Sequence, residues 1–233
     1  MDIKKCDRVL IVAPHADDET IGAGGLLSKY GKQCDVWLIT DGRKGNTPDA
    51  QYSEDELITV RKKEFKSAMS FFNVHDYTFF ELTDGNASSE ISGIYNKSIK
   101  EYNYIFIPNQ YEKHPDHVAA YKALIKMKKR QRAKGDIVEY EVWTPLTAPN
   151  FLLPITDVMD NKLKALSYYE SQLKTFDYCT LAESLNRYRG LTGNEKYCEA
   201  FFSHRKNNLK RKNRIASALP KPLVSGLSKI LHK

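Results

Sequence analysis

Apolar runs at 9–14, 34–40, 77–82, 104–109 and 137–143 alternate along the chain with helical stretches near 20–30, 54–72, 88–101, 116–130 and 158–174. Strands separated by helices have few ways to fold. The helix carries the chain back so that each strand lies parallel to the last, and helices cover both faces of the sheet. The expected fold is therefore α/β, a Rossmann-like three-layer sandwich with a mostly parallel sheet. A length of 233 residues suits one such domain with a large buried core.

Two of the strands run straight into chemistry. Val9-Leu10-Ile11-Val12-Ala13-Pro14 is followed at once by His15-Ala16-Asp17-Asp18-Glu19. In an open α/β sheet, ligands bind beyond the C-terminal ends of the strands. Three consecutive acids there repel one another and crowd a helix N-terminus that needs only one of them as a cap. A divalent metal is the simplest balancing charge. Tyr104-Ile105-Phe106-Ile107-Pro108-Asn109 is the second strand, and a short loop leads from it to His114-Pro115-Asp116-His117. Pro115 suits the first turn of the helix that follows, and His114 and His117, three apart, face similar directions on it. His75, His204 and His232 lack acidic or histidine company that resembles a site and read as surface or satisfied residues.

His15, one of Asp17 and Asp18, and His117 make a ligand set of two nitrogens and one oxygen. Three protein ligands with an open position for water is the pattern of catalytic zinc, which lowers the pKa of its water from roughly 15.7 to about 7. The remaining Asp can take that water's proton. His114 can polarise a carbonyl or protonate a leaving amine. The division of labour fits amide hydrolysis. Non-haem iron oxygenases use the same three-ligand set, but a spare carboxylate beside the metal serves water activation rather than oxygen activation. A dinucleotide-binding protein is the alternative suggested by Gly22-Ala23-Gly24-Gly25. A pyrophosphate at the first helix needs a glycine-rich turn, whereas this turn carries three acids.

The chain resembles the PIG-L/LmbE-like family of metal-dependent N-acetyl-sugar deacetylases. The family's first signature, His-Pro-Asp-Asp-Glu, appears as His15-Ala16-Asp17-Asp18-Glu19, with Ala16 in place of the proline. The second, His-x-Asp-His, is intact as His114-Pro115-Asp116-His117. Weaker similarities are Leu38-Ile39-Thr40-Asp41-Gly42, Arg61-Lys62-Lys63-Glu64, Phe80-Glu81-Leu82-Thr83-Asp84-Gly85, Tyr169-Glu170-Ser171-Gln172, Arg189-Gly190 and Glu199-Ala200-Phe201. Together they span roughly residues 7–203. The resemblance implies zinc, with Fe2+ as another option, on His15, Asp18 and His117, and Asp17 as general base. It implies that His114 stabilises the oxyanion, that Asp116 supports a histidine, and that Arg61 and Asp84 contact an N-acetylated amino-sugar conjugate. Glu112 stands where some members carry a tyrosine.

The net charge of +7 is uneven. Nine of the 36 basic residues follow Glu199, where there is no acid, so the rest of the chain is close to neutral. The reading divides the chain into a deacetylase domain, 1–203, and a basic tail, 204–233. Apolar residues at 223, 224, 227, 230 and 231 have helical spacing, and basic residues beside an apolar stripe suit an anionic membrane surface. No nucleic-acid recognition motif accompanies the tail. Four scattered cysteines form no metal or disulfide pattern. No apolar signal segment or membrane-spanning run is evident, which gives a cytoplasmic expectation with peripheral contact at the inner membrane face.

Overall fold

Strands β1 (Val9–Ala13), β2 (Cys34–Thr40), β3 (Asp76–Leu82), β4 (Tyr104–Pro108) and β5 (Asp136–Tyr140) are mutually parallel and stand in the order β3-β2-β1-β4-β5. The computed structural model describes residues 3–45 and 52–205. Within them, β6 (Phe151–Pro154) and β7 (Cys198–Ser203) extend the same sheet beyond β5 in antiparallel fashion, giving seven strands ending β5-β7-β6. β1 is flanked by β2 on one side and β4 on the other. Strand order reverses there, so a crevice opens beyond the C-terminal ends of β1 and β4.

The helices are α1 (Asp18–Tyr30), α2 (Glu54–Phe71), α3 (Ala87–Glu90), α4 (Pro115–Gln131), α5 (Met159–Leu166), α6 (Glu170–Leu173) and α7 (Tyr178–Gly193). The two-residue period of the strands sorts the core into two layers. Val9, Ile11 and Ala13 pack with Leu26, Phe65, Met69 and Leu166 from α1, α2 and α5. Leu10 and Val12 pack with Ala120, Leu124 and Met127 of α4. Covered on both faces, β1 is buried at every residue, as a central parallel strand should be.

Local signals set the helix ends that matter to the crevice. Ser53 and Glu56 close a reciprocal capping box at the start of α2. His114 is the N-cap of α4, with Pro115 in the first turn, and Lys128, Lys129 and Arg130 meet the negative end of the helix dipole. α1 is kinked at Ala23 (φ −141°, ψ 22°). Glu199 on β7 accepts from the N–H groups of Gly25 (2.7 Å) and Leu26 (2.9 Å) just past that kink. Gly22 lets α1 approach β5 closely: a Cβ there would lie 2.2 Å from Cδ2 of Tyr140.

Several elements depart from the sequence expectation. The stretch 88–101 is not one helix: α3 gives way to a 3-10 segment, Ile91–Asn96. The expected helix 158–174 is broken into α5 and α6 around Ser167–Tyr169. The run 137–143 leaves the sheet after Tyr140 because Glu141 and Trp143 turn into the loop beside the crevice. β6 falls inside 144–157, which its three prolines mark as loop, and β7 and α7 follow no strong sequence periodicity. Past Arg205 the basic tail lies outside the described residues, and no helix among those described is long and apolar enough to cross a membrane.

Candidate metal and catalytic site

The turn after β1 is held in an unusual backbone state. Asp17 has φ 133° and ψ −32°, a region that costs a non-glycine residue energy and persists only where the surroundings impose it. The N–H groups of Thr20 (2.9 Å) and Ile21 (2.8 Å) donate to the Asp17 carbonyl. Arg61 Nη2 donates to the carbonyl of Ala16 (2.9 Å) and Nη1 to that of Gly42 (3.1 Å). Glu19, fully buried, accepts from Asp17 N (3.2 Å) and from the hydroxyl of Tyr169. Asp17 stands at the N-cap position of α1 but makes no side-chain cap bond. Its carboxylate lies 3.5 Å from Arg61 Nη2.

Asp18 is the centre of the cluster. Its Oδ2 lies 3.3 Å from Nδ1 of His15 and 3.2 Å from Nε2 of His117. The opposite nitrogen of each ring points at other carboxylates. Nε2 of His15 is 3.1 Å from Asp116 Oδ2 and 3.2 Å from Asp84 Oδ1. Asp116 is itself fixed by the N–H groups of Gly85 (2.7 Å) and Ala87 (3.0 Å), and Asp84 by that of Lys44 (3.0 Å). Nδ1 of His117 faces Glu112 Oε2 at 3.6 Å. Neither nitrogen of His117, a fully buried residue, has a hydrogen-bond partner. Nε2 of His117 thus sits 3.2 Å from the Asp18 carboxylate without forming a hydrogen bond to it.

Electrostatics point the same way. Six acids at the site, Asp17, Asp18, Glu19, Asp84, Glu112 and Asp116, are buried. Burial, only partly offset by Arg61 and reinforced by Asp18, pushes the Asp17 carboxyl up to about 8. Burial opposes charge on both inner imidazoles, yet their carboxylate partners prevail: His15 is raised well above its usual range and His117 to about 9. Asp18 is held well below the carboxylate range because the two imidazoles outweigh its burial. A site in which carboxylates recruit protons onto imidazoles and one acid stays neutral is short of positive charge. A cation held there would supply it.

His114 differs from the other two rings. Its side chain is 39% exposed, and burial together with the charges of His15 and His117 lowers its pKa. Its Nδ1 accepts from the N–H of Asp116 (3.3 Å), so the neutral ring carries its proton on Nε2, free to donate. The three ring centroids lie 4.6–5.3 Å apart. Among the described residues, His15, His114 and His117, and also His15, Asp84, His114 and Asp116, could bring ligand atoms within 4.8 Å of one another.

All eight residues singled out in the sequence thus meet at one place. His15, Asp17, Asp18, Arg61, Asp84 and His114 line a cavity of about 210 Å³, with Asp116 and His117 buried behind it. Arg61 is buried rather than a solvated helix charge. The cavity is completed by residues that sequence patterns did not single out as site residues, chiefly Trp143 and Tyr178, along with Gln172. Trp143 packs against Phe176 and Tyr178 (centroids 5.6 and 5.7 Å apart), with Trp143 and Phe176 almost half exposed. The weaker sequence similarities also meet: Glu64 accepts from Ser171 N and Oγ, both at 2.7 Å. Two outlying histidines are satisfied by carboxylates away from the site. His75 is 2.8 Å from Asp35 and His204 is 2.6 Å from Glu139, acids distant in sequence, while His232 lies outside the described residues.

Fold and site together define an α/β protein with a carboxylate–imidazole cluster, able to hold a metal, at its switch point. The chain belongs to the PIG-L family, whose model, described as GlcNAc-PI de-N-acetylase, matches residues 10–128. It is 28% identical over 195 residues to diacetylchitobiose deacetylase of Thermococcus kodakarensis, covering 73% of this chain and 71% of that protein. It is 29% identical over 197 residues to the probable N-acetyl-alpha-D-glucosaminyl L-malate deacetylase 2 of Bacillus cereus, covering 77% of this chain and 90% of that one. Among solved structures, N,N'-diacetylchitobiose deacetylase from Pyrococcus horikoshii, in complex with an inhibitor, superposes with a TM-score of 0.70 at 25% identity, covering 84% of this chain and 83% of that one.

Proposed function

We propose that the protein is a zinc-dependent N-deacetylase that hydrolyses the acetamide of an N-acetylglucosamine-type sugar or conjugate, releasing acetate and a free amine. The observation that carries this reading is Asp18 Oδ2 set between Nδ1 of His15 and Nε2 of His117, with Asp17 beside it on a strained turn. Oxygen and nitrogen ligands at about 2.0–2.2 Å from a tetrahedral zinc are roughly 3.3–3.6 Å apart, close to the 3.2 and 3.3 Å found here. His15, Asp18 and His117 would hold the ion. When bound, such an ion polarises the acetyl carbonyl and acidifies water.

The chain's own groups do the rest. Asp17 takes the proton of the attacking water on its carboxylate, and Arg61 orients it from 3.5 Å. Nε2–H of the neutral His114 donates a hydrogen bond to the oxygen of the tetrahedral intermediate, and the proton that Asp17 took from the water passes to the departing amine. Asp84 and Asp116 hold the proton of His15 on Nε2, which leaves Nδ1 for the ion. With its oxygens so engaged, Asp84 serves the site through His15 as well as through the cavity wall.

A cavity of about 210 Å³ accommodates roughly one sugar ring, smaller than the drug-sized pockets of about 300–1,000 Å³. Any conjugate extends past its rim, where Trp143 and Phe176 stand exposed. An anionic-membrane role for the tail rests on its sequence: nine bases without an acid after Glu199. Equal sedimentation of full-length and tail-deleted protein with anionic vesicles would remove it. The main reading is tested by acetate release across N-acetylglucosamine conjugates, with and without a chelator. Chelator-sensitive release supports it; no release from any conjugate by zinc-loaded protein would overturn it.

A further inference from the structure

The two inner imidazoles are supported unequally. His15 has two carboxylates on the nitrogen that faces away from Asp18. His117 has only Glu112, which is 3% exposed. Glu112 is anchored through one oxygen: Oε1 accepts from the N–H of Thr144 (2.9 Å), the N–H of Trp143 (3.1 Å) and Nδ2 of Asn109 (3.3 Å). That leaves Oε2 aimed at Nδ1 of His117 across 3.6 Å. Both atoms are buried and neither has any hydrogen-bond partner. The gap exceeds a hydrogen bond, but two orphaned atoms that face each other, one able to donate and one able to accept, need only a small rotation to pair.

We infer that Glu112 is the positioning residue that keeps the ring proton of His117 on Nδ1, so that the Nε2 lone pair is turned toward Asp18 and the ion. This rests on the assignment of His117 as a metal ligand. An imidazole has two nitrogens, and the one that ligates is set by the hydrogen bond the other makes. Glu112 does for His117 what Asp84 and Asp116 do for His15. It also ties the ligand to the loop bearing Trp143, because the same carboxylate receives that residue's backbone N–H.

Glu112→Gln separates this role from simple packing. Trp143 and Thr144 still require an acceptor, so the amide oxygen takes their side and the NH2 faces His117. A donor there forces Nδ1 to give up its proton, moves that proton to Nε2 and removes the ligating lone pair. Zinc affinity, measured by chelator competition on the full chain, is expected to fall about 10–100-fold, while the metal-free melting temperature stays near wild type. An affinity within about threefold of wild type would overturn the inference and leave Glu112 a loop anchor. Should the variant fail to fold, long-range 1H–15N spectra of the zinc-loaded wild-type protein decide. A His117 proton on Nδ1 supports the inference, and a proton on Nε2 overturns it. Retention of stoichiometric zinc by His117→Ala would instead sink the ligand assignment beneath it.

Discussion

The parallel half of the molecule, β1–β5 with α1–α4, and the antiparallel half, β6, β7 and α5–α7, contribute different things to one crevice. The parallel half supplies every imidazole and carboxylate of the cluster, from the loops and first helical turns that follow β1, β3 and β4. The antiparallel half supplies no member of that cluster. It supplies one side of the wall, Gln172 and Tyr178, and it braces the cluster from behind through Tyr169 on Glu19 and Glu199 on the α1 backbone. The contrast teaches that the reacting chemistry and the shape around it come from separate parts of the fold, so substitutions in the two halves should fail in different ways.

The largest effects belong to the parallel half. Asp17→Asn should keep the metal and lower kcat by about 10²–10⁴-fold, because an amide cannot accept the water's proton. His114→Ala should also retain the metal and lower kcat with little change in KM. Metal analysis beside steady-state kinetics checks both, and turnover by Asp17→Asn within a few-fold of wild type would assign the base elsewhere.

Next comes the antiparallel half where it meets α1, through Glu199. Lys162 is fully buried and pairs with Glu199 at 2.8 Å. Lys162→Ala strands a buried carboxylate, a change that typically costs about 3–5 kcal/mol. Chemical denaturation should show the loss, while kcat of the protein that remains folded stays near wild type. A comparable loss of kcat would mean that the halves are not separable in this way.

A smaller, pH-dependent effect should appear without metal. His117 is raised from 6.5 to about 9 and Asp17 from 3.8 to about 8 in the fold. A raised group stabilises the fold below its unfolded pKa and loses that contribution as pH rises through the folded value. Both groups therefore predict a falling melting temperature for metal-free protein between pH 6.5 and 9. Asp18 and Asp84 are shifted downward and act only in acid, outside this window. Zinc requires neutral imidazoles, so the thermal gain on adding it should grow over the same range. Thermal melts with and without zinc at several pH values measure this, and a metal-independent flat profile would contradict it.

The smallest expected effect lies on the rim. Trp143→Ala should raise KM for conjugates that extend beyond one sugar by a few-fold, about 1 kcal/mol, with kcat preserved. Equal effects on N-acetylglucosamine itself would place Trp143 against the sugar rather than the conjugate.

The same division explains what could be read from sequence. β1 runs directly, and β4 through a short loop, into the candidate site residues, so His15, Asp17, Asp18, His114 and His117 are legible as strand-end motifs. β6, β7 and α7 are held by tertiary contacts, such as Asn150 with Ser203 and Asn186 with the Cys198 carbonyl, which leave little periodic trace. Nothing in the local sequence of Glu112 says that it faces His117. His75 and His204 likewise gain their acidic partners only when β2 and β5 come alongside.

The central claim is that the ion sits among His15 Nδ1, Asp18 Oδ2 and His117 Nε2, leaving Asp17 free to act as base. Anomalous diffraction at the zinc edge from zinc-loaded crystals tests it most directly. The account predicts one peak bonded to those three atoms, with Asp17 uncoordinated. A peak bonded instead to His15, His114 and His117, or to His15, Asp84, His114 and Asp116, the two groups among the described residues whose ligand atoms come within 4.8 Å of one another, or a peak ligated by Asp17, would contradict it.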